Sequence, residues 1–187
     1  MAAPTSREQT HQAILHSFFD LVSSGPASRI TVKAITEQAS VDRKTFYLHF
    51  KTIESLYEEV LENVIHDFFD HFDRTPICGD DFRGNAERFF LFLAGQPLPI
   101  ERLICGDNHF EFGKRLYQAQ MHRYHMATQP FDWMDAGEHR LTIAFILSTA
   151  FDFYRNWVAL GKPCEPETAA KLVGELTCNG IGNLARY

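Results

Sequence analysis

Residues 40–50 read SVDRKTFYLHF, and they place Arg43, Lys44, Thr45, Tyr47 and His49 within seven residues. Arg and Lys can donate to guanine edges or pair with phosphates. A Thr can touch a thymine methyl or a phosphate, and Tyr and His can donate to phosphate oxygens. Phe46 and Phe50 are four residues apart, so on a helix both face one side, into a core. The five polar residues are then left on or near the exposed side, and Lys51 follows at the helix end. A solvated polar face on a short helix has the same pattern, and charge and spacing alone do not choose between the two.

The surrounding sequence supplies the elements that would position these residues. Asp42 can cap a helix running from Arg43 to about His49, because its carboxylate can accept from a free backbone N–H of the first turn. Thr31 can cap another over 31–39 that carries Val32, Ala34, Ile35 and Ala39. Two short helices joined by a tight turn have the dimensions of a helix-turn-helix. Before them, Ile14, Leu15, Phe18, Leu21 and Val22 form an apolar stripe over 8–23 that stops at Ser23-Ser24-Gly25-Pro26. After them, a long helix begins near Thr52, with Leu56, Val60, Val64, Phe68 and Phe72 four residues apart.

Residues 74–83 read as a break, and helical patterns resume at about 84–94, 108–127, 138–160 and 166–185. Pro97, Pro99, Pro130, Pro163 and Pro166 fall between these patterns as breakers. Period-2 alternation is missing, so the fold is expected to be all-α.

Composition narrows the function. The 187 residues carry a formal net charge of -6, yet residues 1–51 hold six Lys/Arg against four Asp/Glu, and the remainder 12 against 20. A basic head on an acidic body can meet a polyanion head-first. No apolar run approaches the roughly 20 residues of a bilayer span. MAAPTSREQTHQ lacks the charged start and apolar run of a secretion signal. Cys78, Cys105, Cys164 and Cys178 make no C-x-x-C. Free thiols and a cytoplasmic location are expected.

No enzyme is expected either. There is no G-x-S-x-G, Gly-rich phosphate loop or H-E-x-x-H, and Asp80-Asp81 reads as a solvated turn. His122 and His125, three apart on one helix face and flanked by His109 and His139, could serve a metal-responsive regulator. The MHRYHMA segment also carries Arg123 and Tyr124 and reads as partly exposed surface, so neither a metal nor a cofactor is expected.

Residues 30–61, ITVKAITEQASVDRKTFYLHFKTIESLYEEVL, resemble the DNA-binding signature of the tetracycline-repressor (TetR) family of transcriptional regulators. The pattern stands in Val41, Asp42, Arg43, Lys44, Thr45, Phe46, Tyr47, His49, Phe50, Lys51, Glu54 and Leu56. The resemblance implies that Thr31 and Lys33 touch phosphates and that Arg43, Lys44 and Thr45 approach base edges. Tyr47, His49 and Lys51 would clamp phosphates. Ser40 departs from the family's usual Gly at the turn, and Ile53 from a Lys that often reaches a phosphate.

It further implies a three-helix DNA-binding domain over 1–51 and a helical effector-binding and dimerisation domain over 52–187. A single helix-turn-helix reads too few base pairs to be selective, and a two-fold dimer sets two of them about 34 Å apart. The family's dimer forms through the last two helices, here 138–160 and 166–185. The first carries Leu141, Ala144, Phe145, Ser148, Ala150, Phe151 and Val158; the second carries Leu172, Val173, Leu176, Ile181, Leu184, Gly174, Gly180 and Gly182.

Phe68, Phe89, Phe92, Phe110, Phe112, Tyr117, Trp133, Phe153, Tyr154 and Trp157 are the candidates to line a pocket for a small apolar or aromatic effector. An aromatic stripe at helical spacing fits a core as readily. The implied function is a homodimeric repressor, released from a palindromic double-stranded operator by that effector. Two alternatives stay open: a regulator without a pocket that a partner protein controls, and the metal-responsive one using His122 and His125.

Overall fold

The computed structural model of the chain describes residues 6–25, 29–74, 82–106, 109–124 and 134–181, the side chains of 72–74, 109–111, 120–124, 180 and 181 excepted. The described residues form helices and no strands: α1 (Ser6–Ser24), α2 (Val32–Gln38), α3 (Arg43–His49), α4 (Ile53–Arg74), α5 (Phe82–Ala94), α6 (Leu98–Cys105), α7 (His109–Tyr124), α8 (Ala136–Ala159) and α9 (Pro166–Ile181). The fold is all-α, as the periodicity predicts. No described helix is long and apolar enough to cross a membrane. Two compact units divide the chain, one of residues 1–64 with 97–109, the other of residues 65–96 with 110–187.

In the first unit, α1 buries Ile14, Leu15, Phe18 and Val22, α2 buries Ile35, α3 buries Phe46, and α4 adds Leu56, Val60 and Leu61. Both expected caps are present. Thr31 Oγ1 accepts from the Ala34 backbone N–H at 3.2 Å. Asp42 accepts from the Thr45 backbone N–H at 2.7 Å and from the Thr45 hydroxyl at 3.1 Å. Thr52 and Ser55 cap the start of α4 reciprocally, each side-chain oxygen accepting the other's backbone N–H at 3.2 Å.

One helix is hidden by its own prolines. Pro97 and Pro99 mark a break in the sequence, yet α6 starts there, with Pro97 as its N-cap. Proline is disfavoured inside a helix but tolerated in the first turn, where the N–H it lacks has no intrahelical acceptor. The helix buries Ile100, Leu103 and Ile104. Its Arg102 guanidinium donates to the Val22 and Ser23 carbonyls at 2.9 and 2.7 Å, which satisfies the open C-terminal end of α1.

The turn between α2 and α3 carries strain. Ser40 sits at φ 54°, in the left-handed region that glycine occupies without penalty. The Val41 N–H reaches back to the Thr36 carbonyl at 3.0 Å, closing the end of α2 across Ser40. The Gly expected at this position therefore has a physical reason. A left-handed non-glycine residue costs about 1–2 kcal/mol, and glycine returns about 0.4–1 kcal/mol of that through a freer unfolded chain. Ser40→Gly is expected to stabilise the protein by about 0.5–1 kcal/mol. A urea titration showing no rise in the midpoint would refute that assignment of strain.

The second unit is built from the end of α4 with α5, α7, α8 and α9. Asp135 and Glu138 form a capping box at the start of α8. Gly174 permits a close approach of α9 to α5, because a Cβ there would stand 2.8 Å from Glu87 Cγ. The glycine thus serves packing inside one unit, and α9 continues past Cys178 to Ile181.

Candidate nucleic-acid interface

The geometry of α3 follows from Phe46, 0% exposed, and Phe50, 2% exposed, which anchor its inner side. Their rings lie 5.7 Å apart. Tyr47 is held edge-on against Phe46 at 5.5 Å and remains 53% exposed. Arg43, Lys44 and Lys51 are exposed and form no ion pair among the described residues. Thr31 and Lys33 are exposed on α2, and Thr45 and His49 are half-buried on α3. All eight residues expected at a DNA surface thus lie in the first unit, six of them exposed.

Three details refine their roles. The Thr45 hydroxyl donates its proton to Asp42, so toward DNA it keeps lone pairs and a methyl group, which suits a base contact better than a phosphate. Those bonds, the backbone one first, hold the Asp42 carboxyl below the usual carboxylate range, and its charge is used in capping. Lys33 shares its charge with Glu37 one turn on, at 3.6 Å between two exposed groups, a pairing weak enough for a phosphate to displace.

His11 on α1 is a residue that no local pattern marks. Its Nε2 lies 2.7 Å from Glu59 Oε1 on α4, and its ring stacks on Phe50 at 4.9 Å and meets His49 at 5.6 Å. It ties α1 and α4 to the end of α3. Burial first, and then the electrostatic influence of His11 and Arg7, push the His49 imidazole below its ordinary pKa. At neutral pH the His49 ring is therefore neutral, and one of its nitrogens carries an N–H that can donate.

Residues 14–60 match the family model described as "Bacterial regulatory proteins, tetR family". These residues form a TetR-family helix-turn-helix domain. Solved structures extend the likeness in fold along the chain. A TetR-like transcriptional regulator from Rhodococcus sp. RHA1 is 16% identical with a TM-score of 0.66, over 97% of this chain and 99% of that one. NalD, the secondary repressor of the MexAB-OprM multidrug efflux pump in Pseudomonas aeruginosa, is 15% identical with a TM-score of 0.70, over 94% and 97%. The dihydroxyacetone kinase operon activator DhaS is 18% identical with a TM-score of 0.58, over 93% and 97%. No curated protein sequence matches the chain.

Beyond the TetR-family domain, the described effector candidates lie in ring contacts and apolar groupings of the second unit. Phe68 meets Phe89 at 5.4 Å and Phe92 at 5.2 Å, both edge-on. Phe153, Tyr154 and Trp157 gather around Phe90, with ring centroids 5.9, 5.8 and 5.3 Å away. Phe90 is fully buried and no sequence pattern marks it, since ERFFLFLA offers five large apolar residues and no cue to which turns inward. Phe112 packs on Phe151, and Tyr117 joins the group around Ile143. The side chain of Phe110, and Trp133, lie outside the described residues.

Phe151 is buried in its own unit, which removes it from the residues available to a dimer face. His125 and the side chain of His122 also lie outside the described residues, among which no group of three or more His, Cys, Asp or Glu could hold a metal. Cys105, Cys164 and Cys178 are free thiols, and Cys78 lies outside the description.

Proposed function

We propose that the chain is a homodimeric repressor whose α3 enters the major groove of a palindromic operator and which a small apolar or aromatic effector releases. The observation that carries this reading is the outer surface of α3. It presents Arg43, Lys44 and Tyr47 to solvent on a helix pinned from behind by Phe46 and Phe50, within the TetR-family match. Arg43, Lys44 and Thr45 would then meet base edges, and Thr31, Lys33, Tyr47, His49 and Lys51 would meet phosphates.

The second unit supports dimerisation by what it leaves outside. Leu141 and Phe145 on α8, with Leu172 and Leu176 on α9, are large apolar side chains more than half exposed. A second copy burying them would set two α3 helices on one face of the duplex, one helical turn apart. The aromatic clusters favour an apolar or aromatic effector. It would act by preferring a dimer whose heads no longer fit successive grooves, which lowers DNA affinity. Repression is the sign recorded for NalD, and activation that recorded for DhaS. Repression is the mode proposed here, acting in the cytoplasm where the operator lies.

Alanine substitutions at Tyr47 and Lys51 test the interface. Each is expected to weaken binding by a similar factor on specific and random duplexes, and Lys51→Ala, which removes a charge, to flatten the dependence of log affinity on log salt by about 0.9. Affinities and slopes equal to those of the unaltered protein would remove both residues from the interface.

A further inference from the structure

Leu48 is 68% exposed in the middle of α3, where the neighbouring positions carry the groups assigned to DNA. Successive helical residues turn by about 100°, so with Phe46 facing the core, Lys44 and Leu48 emerge within about 20° of the opposite pole. Tyr47 and Arg43 fall on one flank of that pole, and Thr45 and His49 on the other. The pole suits the floor of a groove, and the flanks suit its sides, where base edges and phosphates are both within reach.

At that floor a leucine cannot donate or accept a hydrogen bond. The major-groove edges of guanine, cytosine and adenine carry no methyl group, and thymine alone adds one at C5. A leucine laid over the cytosine N4 amino group would leave that donor without a partner, whereas over thymine it buries apolar surface against apolar surface. We infer that Leu48 is a specificity-determining residue of this protein: it packs on a thymine C5-methyl in each half-site and selects thymine there over cytosine. The outward pole of α3 then holds one polar reader, Lys44, and one apolar reader, Leu48. This inference rests on α3 being the recognition helix.

The test uses the full chain and a duplex that it selects from a random pool. Each thymine of the duplex is replaced in turn by deoxyuridine, which removes the C5-methyl and changes nothing else on the base edge. The unaltered protein is expected to lose about three- to fivefold in affinity at one thymine per half-site, the effect of burying one methyl group. Leu48→Ala, a change at an exposed position that favours helix, is expected to bind the thymine and deoxyuridine duplexes equally. 5-Methylcytosine in place of cytosine at that position of a variant site should restore part of the affinity to the unaltered protein and none to Leu48→Ala.

Selection of a sequence with no thymine whose methyl matters would overturn the role of Leu48 while leaving the recognition helix in place. The same holds if Leu48→Ala keeps the full deoxyuridine sensitivity. Failure to select any sequence would overturn the reading of α3 itself, and the inference with it.

Discussion

Replacing Phe46 with alanine is expected to cost about 3–5 kcal/mol of stability and to abolish DNA binding. Phe46 is fully buried, and it packs against Phe50 and Tyr47. The helices α2 and α3 have seven residues each, too short to persist without tertiary support. Their support is the apolar core of the first unit, in which Ile35, Phe46 and Phe50 are buried along with Ile14, Phe18 and Leu56. Removing the Phe46 ring leaves a cavity under the helix that presents Lys44 and Tyr47. A loss of that size is a large part of the roughly 5–15 kcal/mol that stabilises an ordinary domain. Chemical denaturation followed by circular dichroism would read the loss directly. A denaturation midpoint equal to that of the unaltered protein would mean that α3 is not held by this residue.

The second large effect is expected at Lys44. Lys44→Ala should relax the preference for one base pair per half-site by about 1–3 kcal/mol, while affinity for random duplex changes far less. The direction follows from the wheel of α3. Lys44 stands opposite Phe46 and is exposed, so its donors can reach guanine O6 or N7. Arg43, on the flank, reaches inward with a longer and forked side chain, and Arg43→Ala is expected to act in the same sense. The comparison is made by binding a panel of duplexes, each with one base pair changed, to both variants. An equal loss on every duplex would make these residues phosphate contacts.

The parts of the fold that could be read in the sequence are those whose causes are local. Thr31 and Asp42 cap α2 and α3 because a hydroxyl or carboxylate stands before each apolar pattern, and both hydrogen bonds are present. The inward face of α3 follows from the four-residue spacing of Phe46 and Phe50. The serine at the turn is legible as a departure, and its φ of 54° gives the departure a physical meaning.

The features that escape such reading depend on distance along the chain or on context. Helix α6 is hidden because Pro97 and Pro99 break a helix interior but not a first turn. Arg102 reaches carbonyls about 80 residues earlier, and His11 pairs with Glu59 across 48 residues, with nothing in either segment to announce the contact. The aromatic residues of the second unit form several clusters, and their spacing carries no information on which ring meets which. Leu48 is in plain view in SVDRKTFYLHF, yet its meaning needs the exposure that the folded helix gives it.

Every role proposed for this protein depends on α3 reading a DNA sequence. The direct measurement is a competition gel shift at a single physiological salt concentration. It sets a duplex that the protein selects from a random pool against a scrambled duplex of the same composition. The account predicts binding to the selected duplex at least about 1,000-fold tighter than to the scrambled one, with two half-sites arranged as an inverted repeat. Equal affinity for the two duplexes would contradict it, and would leave α3 a solvated helix with no base to read.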